Sequence, residues 1–206
     1  MGADDETYLR GTQVFLEAQA NTAVRGRGLQ NAAFWVGFRQ EIHMAFINQR
    51  PFQFDLECCR NTTYKTLEPT DDSTWVNRII LHCAESLIFC HGDSYHDAER
   101  YNELWRYNQD WYDSKPPSFN PIYYRSADSS RNEVFPQIWY LGDCQGTHSL
   151  HTDWKPDVDA LMNFAVTAIQ HWHLARMLLA AFDPNTPRMG PNQKRAAANR
   201  EVLHDE

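Results

Sequence analysis

Cys144 has the setting closest to that of a reactive side chain. It lies in Gly142-Asp143-Cys144-Gln145-Gly146, a turn-forming run, with His148 and His151 a few positions on. A thiol near imidazole or in a polar turn can be held as thiolate, the form that attacks carbonyl carbons and ligates metals. No GxSxG elbow occurs anywhere in the chain, and nothing beside Cys144 in sequence supplies an oxyanion hole. The Cys144/His148/His151 loop therefore defines an alternative reading, a small helical enzyme, and not the leading one.

The chain's nine histidines could also ligate metal. Two ligands on one helical face need a spacing of three or four residues, as in HExxH. His171 and His173 bracket Trp172 and point about 200° apart on a helix. His82 and Cys83 lie two turns before Cys90 and His91, but positions 83 and 90 fall on the apolar face. No CxxC occurs among the five cysteines, so neither a zinc finger nor a six-cysteine zinc cluster can form within the chain. Gly26-x-Gly28 has no strand before it and is not a phosphate loop. The paired carboxylates, Asp4-Asp5 and Asp71-Asp72, read as solvated runs. The expectation is a chain with no catalytic residue, metal site or cofactor of its own.

Arg39 is unusual on physical grounds. At 100° per residue it falls about 40° from the centre of the stripe formed by Trp35, Ile42 and Phe46. A guanidinium on an apolar face needs a carboxylate, a carbonyl or a ligand. An internal clamp is the plain reading and a ligand anchor the sharper one. His171 and Arg176 stand at the edges of a second apolar stripe and pose the same choice. Arg39, Trp35, His171 and Arg176 are thus the candidate effector or packing anchors.

These side chains sit on predicted helices. Residues 7–20 form a first one, with Tyr8, Phe15 and Leu16 on one side. From Asn31 to Gln49, Trp35, Phe38, Ile42, Ala45 and Phe46 recur at three and four residues, and Pro51 ends the helix. Residues 52–70 read as a loop with a short turn near Leu56. A helix from Ser73 to Phe89, capped by Asp72 or Ser73, carries Trp75, Ile79, Cys83, Leu87 and Cys90, and Gly92 stops it. Ser94-x-x-Asp97 resembles a capping box and opens a helix running to Asp113. Residues 115–156 are broken by Pro116, Pro117, Pro121, Pro136 and Pro156, yet are too aromatic for a free linker. They are expected to lie ordered over the helices, with a helical turn near 135–142 and a floppy insertion near 127–132. A long helix spans Asp157 to Phe182, with Leu161, Phe164, Ala168, Trp172, Ala175 and Leu179 in its stripe. A polar helix follows Pro191. The fold expected is all-α: an irregular helical array with a Pro- and aromatic-rich ordered loop segment and no sheet.

Composition narrows the functions. Asp and Glu number 27 against 19 Lys and Arg, giving a net charge of -8, and no basic cluster stands out. Nucleic-acid-binding domains carry a basic patch, so direct nucleic-acid binding is not expected. No apolar run approaches the ~20 residues of a membrane span. Five cysteines without a disulfide-scaffold pattern read as reduced thiols.

Several motifs carry a resemblance. The run Ala33-Phe34-Trp35-Val36-Gly37-Phe38-Arg39-Gln40-Glu41-Ile42 closes with Phe46-Ile47-Asn48-Gln49-Arg50-Pro51. Trp75-Val76-Asn77-Arg78-Ile79 and His82-Cys83-Ala84-Glu85 follow. Then come Trp105 to Trp111 with Lys115-Pro116-Pro117-Ser118-Phe119, Phe135-Pro136-Gln137-Ile138-Trp139, and His173-Leu174-Ala175-Arg176-Met177-Leu178-Leu179. In that order the segments, covering roughly residues 8–192, resemble the regulatory region of fungal zinc-cluster transcription factors.

The resemblance implies an all-α regulatory domain that restrains activation, senses small effectors or binds partners in the nucleus. In that family a six-cysteine zinc cluster precedes the region and holds the zinc, and further helices follow it. Residues 1–206 are accordingly expected to be a single truncated helical regulatory domain lacking the zinc-cluster DNA-binding domain. The partners implied are the transcription machinery or the rest of a full-length factor, together with a small-molecule effector. A stand-alone interaction scaffold descended from such a regulator is the third reading.

Overall fold

The computed structural model describes residues 24, 28–59, 62–93, 97–131, 133–140 and 164–184. The expected helix over 7–20, the start of the 157–182 helix, the helix after Pro191 and the Cys144/His148/His151 loop lie outside the described residues.

Helix α1, Leu29–Ile47, begins after Gly28, whose φ of 85° and ψ of -150° belong to glycine territory. It buries Phe34, Trp35, Phe38, Ile42 and Ala45, while Phe46, expected in the same stripe, is left 38% exposed. Its end is a Schellman turn. The Arg50 amide donates to the Ala45 carbonyl (3.0 Å) and the Gln49 amide to Phe46 (3.2 Å), with Gln49 left-handed at φ 50°. The turn thus closes the helix two residues before the predicted end at Gln49.

Helix α2, Asp72–His91, is capped by Asp71, one residue earlier than expected. The Asp71 carboxylate accepts from the Thr74 amide and hydroxyl, both 2.9 Å, and from the Ser73 hydroxyl. Every residue from Trp75 to Ala84 is buried. A helix apolar around most of its circumference belongs at the centre of a core. Ile79, Ile80, Leu81 and Leu87 are almost fully enclosed, and each such side chain contributes about 1.5–3 kcal/mol. Packing, not intrinsic propensity, holds α2.

Helix α3, Ala98–Ser114, starts at Asp97, whose carboxylate accepts from the Glu99 (3.0 Å) and Arg100 (3.1 Å) amides. It buries Tyr101, Leu104, Asn108 and Trp111 on one face. Pro116 stops it, and a single 3-10 turn, Pro117–Phe119, folds Phe119 back against Trp111. Helix α4, Phe164–Ala181, packs mainly along α2 and also touches α3 and the Pro117–Phe119 turn, while α1 packs on α2 elsewhere.

The chain is predominantly helical, but the expectation of no sheet is corrected. Strands β1, Tyr123–Arg125, and β2, Gln137–Trp139, pair antiparallel with Tyr124 opposite Ile138. The stretch expected as a helical turn near 135–142 instead contains β2 within its described part. Aromatic and β-branched residues in both runs favour extended backbone. Three residues per strand are too few to show an alternation. Over its described part, the insertion expected near 127–132 holds a single 3-10 turn, Ser129–Arg131. The Asp128 carboxylate accepts from the Ser130 amide (2.9 Å), and Arg125 pairs with Glu133 at 2.7 Å.

Candidate functional site

Two of the four nominated side chains are linked electrostatically: the charge of Arg39 on α1 bears on His171 on α4. Burial lowers the His171 pKa below its usual value, and the Arg39 charge lowers it further, against a hydrogen bond to the Thr167 carbonyl. That bond, 2.7 Å from Nδ1, places the ring proton on Nδ1, because a carbonyl can only accept. Arg39 is half-buried, and burial lowers its own pKa. Among the described residues no carboxylate forms a salt bridge with it.

Arg176 lies in a different setting, the contact between α3 and α4. Its guanidinium carbon is 4.3 Å from the Trp105 ring centroid and 5.5 Å from that of Trp172, and Nη1 donates to Gln109 Oε1 at 3.1 Å. Tyr112 stacks on the Trp172 ring at 4.4 Å, and Lys115 Nζ sits 3.7 Å from the Tyr112 centroid. Burial lowers the Lys115 pKa, against the Asp113 charge. Trp105, Arg176, Trp172, Tyr112 and Lys115 thus form a row of stacked rings and cations, with Trp172 and Tyr112 adjacent. A planar guanidinium suits such stacking better than an ammonium does.

Trp35 joins neither cluster. It is enclosed with Phe34 (5.3 Å), Phe38 (5.2 Å) and Tyr64 (5.0 Å), so its role is packing.

Three buried polar groups were not singled out from the sequence as sites. Arg78, 1% exposed, donates Nε to the Thr63 carbonyl (3.0 Å), Nη1 to the Glu68 carbonyl (2.7 Å) and Nη2 to Thr66 Oγ1 (3.3 Å). It therefore fastens the 62–71 connection to α2. Its signal was an arginine three residues after Trp75 on a buried helix face. Glu41 accepts Arg50 at 2.5 and 2.9 Å and the Gln53 amide at 3.1 Å, fixing the turn after α1. His82 is fully buried, and among the described residues neither ring nitrogen has a hydrogen-bond partner. Burial, aided by the Arg100 and Lys65 charges, pushes its pKa down to about 3, so the ring is neutral.

Among the described residues no three His, Cys, Asp or Glu side chains gather as a metal site. Cys58, Cys59, Cys83 and Cys90 are buried free thiols. These residues do not fit a zinc cluster, which needs six suitably spaced cysteines. Among the described residues no helix is long and apolar enough to cross a membrane. No family model, curated protein or solved structure matches the chain.

Proposed function

We propose that this chain is a regulatory domain of a fungal zinc-cluster transcription factor, binding protein partners and a small effector without itself gripping DNA. Four of the five motif regions that carry the resemblance interlock around α2 and α4, and this is the observation that supports the reading. Arg50 holds Glu41 at the end of α1. Trp75 lies 6.3 Å from Trp111, whose indole donates to the Trp75 carbonyl at 3.1 Å. Arg176 stacks on Trp105. Motif residues thus take part in long-range ties between helices, such as Trp75 with Trp111 and Trp105 with Arg176, which is what a shared regulatory fold would preserve. Effector or partner binding near Arg39 and His171 would act by shifting a helical packing equilibrium. Arg39, with no described carboxylate partner, suits an anionic group.

The test is to fuse the chain to a heterologous DNA-binding domain in a yeast reporter strain. The expected result is a change in transcription that Arg39→Glu alters at equal protein level. The isolated chain is expected to show negligible affinity for random duplex DNA at ~150 mM salt. An unchanged reporter, or tight DNA binding by the chain alone, overturns the reading.

A further inference from the structure

The connection between α1 and α2 carries a feature the regulatory reading does not use. Cys58 and Cys59 are consecutive, in a single 3-10 turn, Glu57–Cys59, and their sulfurs lie 3.7 Å apart. Consecutive side chains in extended backbone point to opposite sides, so near contact of the two sulfurs is a product of this tight turn. The Cys59 amide donates to the Leu56 carbonyl at 3.0 Å, and Cys58 Sγ donates to the Asp55 carbonyl at 3.5 Å, which hold the turn closed. Cys59 is wholly enclosed, whereas Cys58 sits at the rim beside exposed Asp55 and Glu57. The Cys59 thiol, hydrogen-bonded to Cys58, lowers the Cys58 pKa and so favours its thiolate.

A disulfide is the first fate to consider, and geometry opposes it. Adjacent Cα atoms are ~3.8 Å apart across a trans peptide, below the ~4.4 Å lower bound of ordinary disulfides. Zinc is the second, and it wants four ligands where this turn offers two. Linear two-thiolate binding of Cu(I) sets the sulfurs on opposite sides of the ion, farther apart than near contact. A pyramidal trivalent centre holds its two sulfurs side by side, as this turn does.

We propose that Cys58 and Cys59 form a vicinal-dithiol site that chelates trivalent arsenic. Cys58 bonds first from the rim, and Cys59 closes the ring. With an organoarsenic oxide, each thiol gives its proton to the arsenic-bound oxygen as its sulfur bonds arsenic. Two As–S bonds replace the As=O bond, one water leaves, and nothing is oxidised or reduced. The site lies on the connection that Arg78 fastens to α2 and that Lys65 ties to Glu85.

The probe is phenylarsine oxide, added at one equivalent to the full chain under native conditions. The expected result is loss of two of the five titratable thiols and a mass gain of one phenylarsenic group. Peptide mapping is expected to place that group on the fragment holding Cys58 and Cys59. A dithiol should remove it and an excess monothiol should not. Cys58→Ser and Cys59→Ser are each expected to weaken binding roughly 100-fold, the loss of the chelate advantage, while Cys83→Ser and Cys144→Ser keep it. Mapping to another cysteine pair, or reaction only after denaturation, overturns the proposal. Mapping on the wild-type chain decides the matter even if a serine variant fails to fold.

Discussion

Trp172 and Asn108 exchange hydrogen bonds across the α3–α4 contact. The Trp172 indole donates to the Asn108 carbonyl at 2.9 Å, and the Asn108 side-chain amide donates to the Trp172 carbonyl at 3.4 Å. Trp172→Phe keeps a ring for Tyr112 to stack on but removes the donor. It is expected to cost about 0.5–1.5 kcal/mol, the net worth of one buried hydrogen bond, read by urea unfolding. Arg176→Lys, which loses the planar stack on Trp105, should cost about 0.5–1 kcal/mol.

Arg78 offers a harder test. Arg78→Met removes the buried charge and also leaves the Thr63 and Glu68 carbonyls without their donor. A loss of at least about 2 kcal/mol is expected, with faster proteolysis between residues 62 and 71. Arg78→Lys should not restore the wild type, because one ammonium cannot span three acceptors held in a fork.

His82 makes stability depend on pH. Its folded pKa of about 3 lies below the ordinary 6.5, so the unfolded chain binds the proton more readily between those values. Its share of the stability is complete above about pH 6.5 and is lost as pH falls toward 3, by up to ~1.4 kcal/mol per unit. His82→Leu should flatten the pH dependence of the unfolding midpoint across this window. An unchanged slope would place the acid sensitivity elsewhere, for instance at Asp71. There, burial raises the carboxyl pKa, but hydrogen bonds from Ser73, Thr74 and Thr70 outweigh it and bring it down to about 2.

Gln49 occupies a left-handed position at φ 50°. A side chain there costs roughly 1–2 kcal/mol that glycine avoids, offset in part by glycine's greater freedom when unfolded. Gln49→Gly is expected to raise the thermal midpoint by a few degrees, equivalent to about 1 kcal/mol or less.

Arg39→Met tests the electrostatic link to His171. Removing the cation should raise the His171 pKa, since the Arg39 charge lowers it. An NMR titration of the ring reads the shift directly, and no movement would mean that the two groups do not interact in solution.

Much of the helical fold was legible because apolar periodicity is a direct image of one buried face. Trp35, Phe38 and Ile42 recur at helical spacing and are all enclosed. The end of α1 was less legible, because the break comes from Gln49's backbone and not from Pro51. The β1–β2 hairpin was missed, since three-residue strands carry no period. Arg39 and His171 could be nominated one at a time from their helical faces. The electrostatic link between them depends on how α1 and α4 are placed, which no local pattern encodes. Arg78 was overlooked because its partners are carbonyls, which leave no mark in the sequence.

The position of α2 sets a schedule for synthesis. Its apolar surface is closed chiefly by α4, whose described residues, Phe164–Ala181, leave the ribosome long after α2 is complete. Until then α2 is an adhesive rod with its best partner unmade. Delayed closure of this kind exposes a nascent chain to aggregation and makes it a natural client of holding chaperones. The yield of folded protein should then hinge on events late in translation, however stable the finished bundle is.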